Sequence, residues 1–63
     1  MTLTEAREKK GLSQRQLAKM VDMHFMQINK IETGKIKIEN ISAKNFIALS
    51  EALEVDPKEL LKE

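Results

Sequence analysis

Apolar residues recur along this chain at helical spacing, broken at short intervals by polar residues and glycine. The clearest stretch runs from Ser13 to Lys35. Ser13 stands three residues before Gln16, the capping-box spacing, in which both side chains satisfy free backbone N–H groups at a helix start. Leu17, Ala18, Met20 and Val21 then form an inward stripe, Asp22-Met23-His24 interrupts it, and a second stripe follows at Ile28 and Ile31 until Gly34. The pattern predicts a helix over about 14–21 and another over about 25–33. Between them Asp22 takes a left-handed backbone, which Asp tolerates better than most residues, and Met23 plugs the core. Helices of about two turns do not stand alone in water, because nucleation is costly. The rest of the chain must pack behind them.

Thr2 and Glu5 repeat the capping-box spacing at the start of a first helix, with Leu3 and Ala6 facing inward. Lys9 and Lys10 suit the negative end of its dipole, Gly11 suits the left-handed residue that ends it, and Leu12 fills the corner before Ser13. Residues 35–41, KIKIENI, alternate polar and apolar, which taken alone fits a strand. A lone strand has no partner here, so an extended loop pinned by its isoleucines is preferred. Ser42 caps a fourth helix, about Ala43–Leu53, which is apolar over much of its circumference through Ala43, Phe46, Ile47, Leu49 and Leu53 and so is expected at the centre. Asp56, Pro57 and Glu59 mark the start of a fifth helix, about Pro57–Leu61, offering Leu60 and Leu61. The pattern predicts an all-α, compact five-helix bundle and a single domain over residues 1–63.

Composition narrows the function more by exclusion than by indication. A chain of 63 residues buries only about 60% of its unfolded surface on folding, so stability is marginal. It has no cysteine and one histidine, which removes disulfides and leaves no metal-ligand set, and no cofactor is expected. No run approaches the roughly 18 apolar residues of a membrane span and no signal peptide is visible, so a soluble, cytoplasmic protein with no membrane contact is expected. No nucleophile–base pair, glycine-rich phosphate loop or carboxylate dyad appears at a functional spacing, which argues against an enzyme. The net charge of +1 hides a division. Residues 1–37 hold eight Lys/Arg against four acids, and residues 38–63 hold three Lys against six acids. The positive part contains the two central helices, a polarity that suits a polyanion on one side; a merely solvated surface is the alternative.

GLSQRQLA at 11–18, INKIETGK at 28–35 and LSEALEVDPKELL at 49–61 together resemble the helix-turn-helix domain of lambdoid-phage Cro and repressor proteins and of bacterial Xre-type regulators, from about Leu3 to Leu61. The resemblance implies the lambda-repressor-like fold and a transcription regulator that binds double-stranded DNA. In such domains helix three enters the major groove and its first residues read base edges. Here these are Phe25, Met26 and Gln27, with Asn29 and Lys30 further along. The start of helix two meets a phosphate, at Gln14 with Arg15 beside it, and the position before the terminating glycine meets another, at Thr33 followed by Lys35 and Lys37. In parts of the family an arginine of helix one pairs with a glutamate near the end of helix three, and Arg7 and Glu32 occupy those positions. A homodimer is expected, with Ile41, Val55 and Leu61 in its interface.

Three places depart from the family pattern. Asp22 replaces the usual glycine of the turn, His24 replaces the Ser or Thr cap of helix three and is a poor N-cap, and Phe25 and Met26 replace polar reading residues. Phe25 and Met26 are expected outside, where they suit thymine methyl groups. The alternatives are that one folds back onto the core, or that the pair forms a protein-binding patch. Gln27 suits a bidentate pair with adenine or the third position of a helix start, bonding backward. Lys30 reaches guanine or a phosphate, or is simply solvated, and His24 lies beside the expected phosphate path. Two functions follow: a homodimeric regulator, most readily a repressor, on a palindromic operator, or a protein-interaction module of the same fold, such as an antitoxin that neutralises a toxin.

Overall fold

The computed structural model describes residues 1–61; Lys62 and Glu63, the end of the acidic half and of the expected domain, lie outside the described residues. Five α-helices follow in order: α1 (Leu3–Lys9), α2 (Gln14–Met20), α3 (Phe25–Glu32), α4 (Ala43–Leu53) and α5 (Pro57–Leu61), with a 3-10 turn at Ile38–Asn40. Each is short, and each start is fixed by side chains. Thr2 Oγ1 accepts from the Glu5 N–H at 3.1 Å while Glu5 accepts from the Thr2 N–H at 3.0 Å. Ser13 and Gln16 make the same reciprocal pair at 3.0 and 2.8 Å. Ser42 accepts from the Asn45 N–H at 3.2 Å, and Asp56 from the Lys58 N–H at 2.9 Å.

The ends of α1 and α2 share one motif. Gly11, at φ 69°, lets the Leu12 N–H reach back to the Arg7 carbonyl at 3.2 Å and the Gly11 N–H to that of Glu8 at 2.9 Å. Asp22, at φ 55°, does the same for α2, where the Met23 N–H reaches the Ala18 carbonyl at 2.9 Å. The turn carries Met23 into the core. A left-handed L-residue costs about 1–2 kcal/mol, less for Asp, and glycine carries no such cost. Asp22→Gly is therefore expected to raise the unfolding free energy by about 0.5–1 kcal/mol, seen as a higher urea midpoint at unchanged slope.

The helices pack into a body of 23 × 21 × 20 Å around Leu17, Ile28, Leu49, Leu53 and Leu60, with Leu3 and Ala6 closing it from α1. Three residues of the expected apolar stripes face out instead, Ala43 in the first turn of α4 and two larger ones. Met20 is 56% exposed and Ile47 is 50% exposed. At about 100° per residue, α2 centres its buried stripe on Leu17, Ala18 and Val21, and α4 on Leu49, Ser50 and Leu53, which leaves Met20 and Ile47 roughly 100° off the centre. Ser50 is buried in the apolar face of α4 because its hydroxyl donates to the Ile47 carbonyl at 2.8 Å. The connection after α3 is pinned by its isoleucines, but it is not extended throughout. In an extended chain Ile36 and Ile38 would share a face opposite Ile41. The 3-10 turn, closed by Asn40 N–H to Lys37 carbonyl at 2.9 Å, brings all three against the body, with Ile38 buried and the others half-buried.

Candidate nucleic-acid interface

Helix α3 is held in place by a polar network as well as by Ile28 and Ile31. Arg7 Nε donates to Glu32 Oε2 at 2.7 Å and Nη2 to Oε1 at 3.1 Å, a bidentate pair between α1 and α3. The two side chains are only 13% and 6% exposed. Arg7 Nη1 also donates to the Leu12 carbonyl at 2.7 Å, which fixes the corner between α1 and α2. Gln14 Nε2 donates to Glu32 Oε1 at 3.0 Å, and Asn29 Nδ2 donates to Gln14 Oε1 at 3.4 Å. The start of α2 is thus tied to two turns of α3. Gln14 and Asn29, both read from sequence as DNA contacts, spend their amides inside the protein and are half-buried. The Arg7–Glu32 pair is the one the family resemblance implied, whereas nothing in the spacing of the sequence marks the Gln14 and Asn29 links, which form only where α2 meets α3.

The network sets the ionisation of Glu32. Burial pushes its carboxyl up, but the hydrogen bonds from Arg7, Gln14 and Thr4, with the Arg7 charge, outweigh this and hold it below the ordinary glutamate value of 4.5. The same Glu32 hydrogen bond pushes Arg7 upward. Glu5 is also lowered, chiefly by the Thr2 backbone N–H, and Glu54 by Lys10, with which it forms an ion pair. A carboxylate lowered in the folded state stabilises it above the unfolded value and loses that contribution as pH falls through the folded value. The thermal midpoint should accordingly hold steady down to about pH 5 and then fall steadily towards pH 3. Melts followed by circular dichroism check this, and Glu32→Gln should flatten part of the fall.

The exposed start of α3 is built differently from expectation. His24 is an effective N-cap: its Nδ1 accepts from the Met26 N–H at 3.2 Å, and Gln27 Oε1 accepts from the His24 N–H at 3.1 Å. A ring nitrogen stands in for the usual hydroxyl oxygen, and Gln27 bonds backward as the third residue of the helix start. Phe25 does not stand outside. It is half-buried against the core, while Met26 remains 44% exposed. Above the Phe25 ring, the Arg15 guanidinium carbon lies 4.4 Å from the centroid, a cation–π contact, and the His24 ring stacks beside it at 5.4 Å and 22°. The three residues were each legible as candidates, but not as one stack.

The remaining candidates lie along α3 and the chain that follows it. Lys30 is exposed. The Thr33 hydroxyl donates to the Asn29 carbonyl at 2.9 Å at the exposed end of α3. Gly34, at φ 83°, turns the chain outward to Lys35 and Lys37, both exposed. Among the described residues Arg15, Lys19, Lys30, Lys35 and Lys37 make no ion pair, whereas Lys10 is paired with Glu54. Of the expected interface residues, Ile41 and Val55 are half-buried against the core and Leu61 is 51% exposed.

A helix locked by its inner side, capped at its start and flanked by uncompensated cations defines a helix-turn-helix protein of the DNA-binding type. A sequence model of the helix-turn-helix family matches residues 3–60, and the chain belongs to that family, in its Cro/C1-type or Xre branch, whose members are DNA-binding transcription regulators. Comparison with curated proteins and with solved structures gave no significant match. Among the described residues no helix is long and apolar enough to cross a membrane.

Proposed function

We propose that the chain is a sequence-specific transcription regulator, a repressor, which lays α3 in the major groove of double-stranded DNA and acts in the cytoplasm as a homodimer on a palindromic operator. The observation that carries this reading is the contrast between the two sides of α3. Its inner side is fixed by the Arg7–Glu32–Gln14–Asn29 network, while Met26, Gln27 and Lys30 stand exposed outside it. In this reading Met26, Gln27 and Lys30 face bases. Arg15, His24, Thr33, Lys35 and Lys37 face phosphates, Phe25 supports Arg15, and Gln14 and Asn29 hold the frame.

One module of this size covers about 600–1,000 Å² on DNA and binds weakly alone. A dimer doubles the contacts and sets two α3 helices about 34 Å apart. Ile41, Val55 and Leu61, joined by exposed Ile47 of α4, supply the apolar surface for it. Selection of bound duplexes from a random pool tests the reading. A palindromic motif with half-sites one helical turn apart is expected, and a pool that never departs from random would reject it.

The exposed Met20 and Met26 favour a second reading, a protein-binding module such as an antitoxin neutralising a toxin. Purification of the chain alone as a stable, DNA-binding dimer would count against a dedicated protein partner.

A further inference from the structure

The hydrogen bonds that cap α3 also decide what its tip can read, given the function proposed above. His24 Nδ1 is an acceptor in the cap, so a neutral His24 carries its proton on Nε2 and can only donate outward. Gln27 Oε1 is turned back onto the His24 N–H, which leaves the amino group, with two protons, as the end of the amide without a partner. Arg15 and Lys30 have no acceptor by nature, and Phe25 and Met26 are apolar. Asn29 keeps a carbonyl oxygen, but it is half-buried a half-turn behind Gln27 with its amino group on Gln14. The tip therefore offers donors and apolar surface.

In the major groove guanine presents two adjacent acceptors, O6 and N7, while adenine presents N7 beside an N6 amino donor. The bidentate amide–adenine pair needs the glutamine oxygen in the plane of the base. The His24 N–H takes one of the two lone pairs of that oxygen and fixes the direction of the carbonyl, so adenine N6–H must meet the other lone pair in the orientation the cap imposes. Guanine asks only for the protons on Nε2 and leaves the cap untouched. We infer that Gln27 is a specificity-determining residue that reads guanine as a donor, with its oxygen held in the helix cap.

The test uses the full chain and an operator taken from random-pool selection. The base pair whose preference disappears in Gln27→Ala is the one Gln27 reads. Affinity is then measured by fluorescence anisotropy on duplexes carrying each base pair there, and on one carrying 7-deazaguanine, which lacks N7. A G·C pair should bind best, with A·T weaker by about tenfold. 7-Deazaguanine should weaken the wild type by about fivefold and leave Gln27→Ala unaffected. Gln27→Glu keeps the acceptor for the His24 N–H and removes both donors. It should melt like the wild type and lose the guanine preference. An A·T pair at that position, indifference to 7-deazaguanine, or no position that responds to Gln27→Ala would each overturn the inference while leaving operator binding intact. Absence of any selected operator would instead reject the proposed function on which the inference rests.

Discussion

Replacing Glu32 by alanine is expected to lower the unfolding free energy by about 2–4 kcal/mol, because it strands a largely buried guanidinium. Arg7 would keep the Leu12 carbonyl and lose both bonds to the carboxylate, and Gln14 would lose its acceptor. A domain of this length has a total stability of about 3–9 kcal/mol, so much of it would go. The attraction within the pair is not by itself the source of that loss, since removing both charges from water is costly too. Arg7→Met together with Glu32→Leu should accordingly return the stability to within about 1 kcal/mol of the parent. Urea unfolding of the single and double variants checks both expectations. If the single variant were as stable as the parent, Arg7–Glu32 would not be what holds α3 to α1.

Phe25→Ala should lower stability and DNA affinity together. The half-buried ring contributes about 2 kcal/mol by packing, roughly half the cost of truncating a fully buried phenylalanine. Its face also positions the Arg15 guanidinium, and freeing that side chain should weaken binding by about tenfold. Phe25→Leu separates the two effects. Leucine refills most of the space against the core but offers no ring to Arg15, so stability should recover to within about 1 kcal/mol while affinity stays reduced. Unfolding curves paired with anisotropy titrations read both quantities. Unchanged stability in Phe25→Ala with lost sequence preference would instead place the ring in the groove.

Much of the fold was legible because it is written in local signals. The pairs Thr2–Glu5 and Ser13–Gln16 need only a spacing of three, and each is a reciprocal cap in the structure. Gly11 and Asp22 end helices where a left-handed residue was expected, and Leu17, Ile28, Leu49 and Leu53 lie on the stripes that bury them. What escaped depended on relations between elements. Met20 and Ile47 belong to apolar runs wide enough that only packing decides which edge is left outside. The Gln14–Asn29 bond and the Arg15–Phe25 stack join residues brought together by the crossing of α2 and α3, and amide or guanidinium side chains look the same in sequence whether they face DNA or a neighbour. His24 looked unsuited to capping because hydroxyls and carboxylates dominate that position, yet an unprotonated ring nitrogen fills the same acceptor role.

Under the proposed function, the cations around α3 that make no ion pair engage a nucleic-acid backbone. The most direct measurement is the affinity for a labelled duplex carrying the selected operator, followed by fluorescence anisotropy between about 50 and about 300 mM salt. If Arg15, Lys35 and Lys37 of each protomer displace counterions, the logarithm of the association constant should fall linearly with the logarithm of salt concentration, with a slope of about −5 for the dimer. Lys35→Ala should reduce that slope by about two. Absence of salt-dependent binding to any duplex would rule out that these cations meet a nucleic-acid backbone.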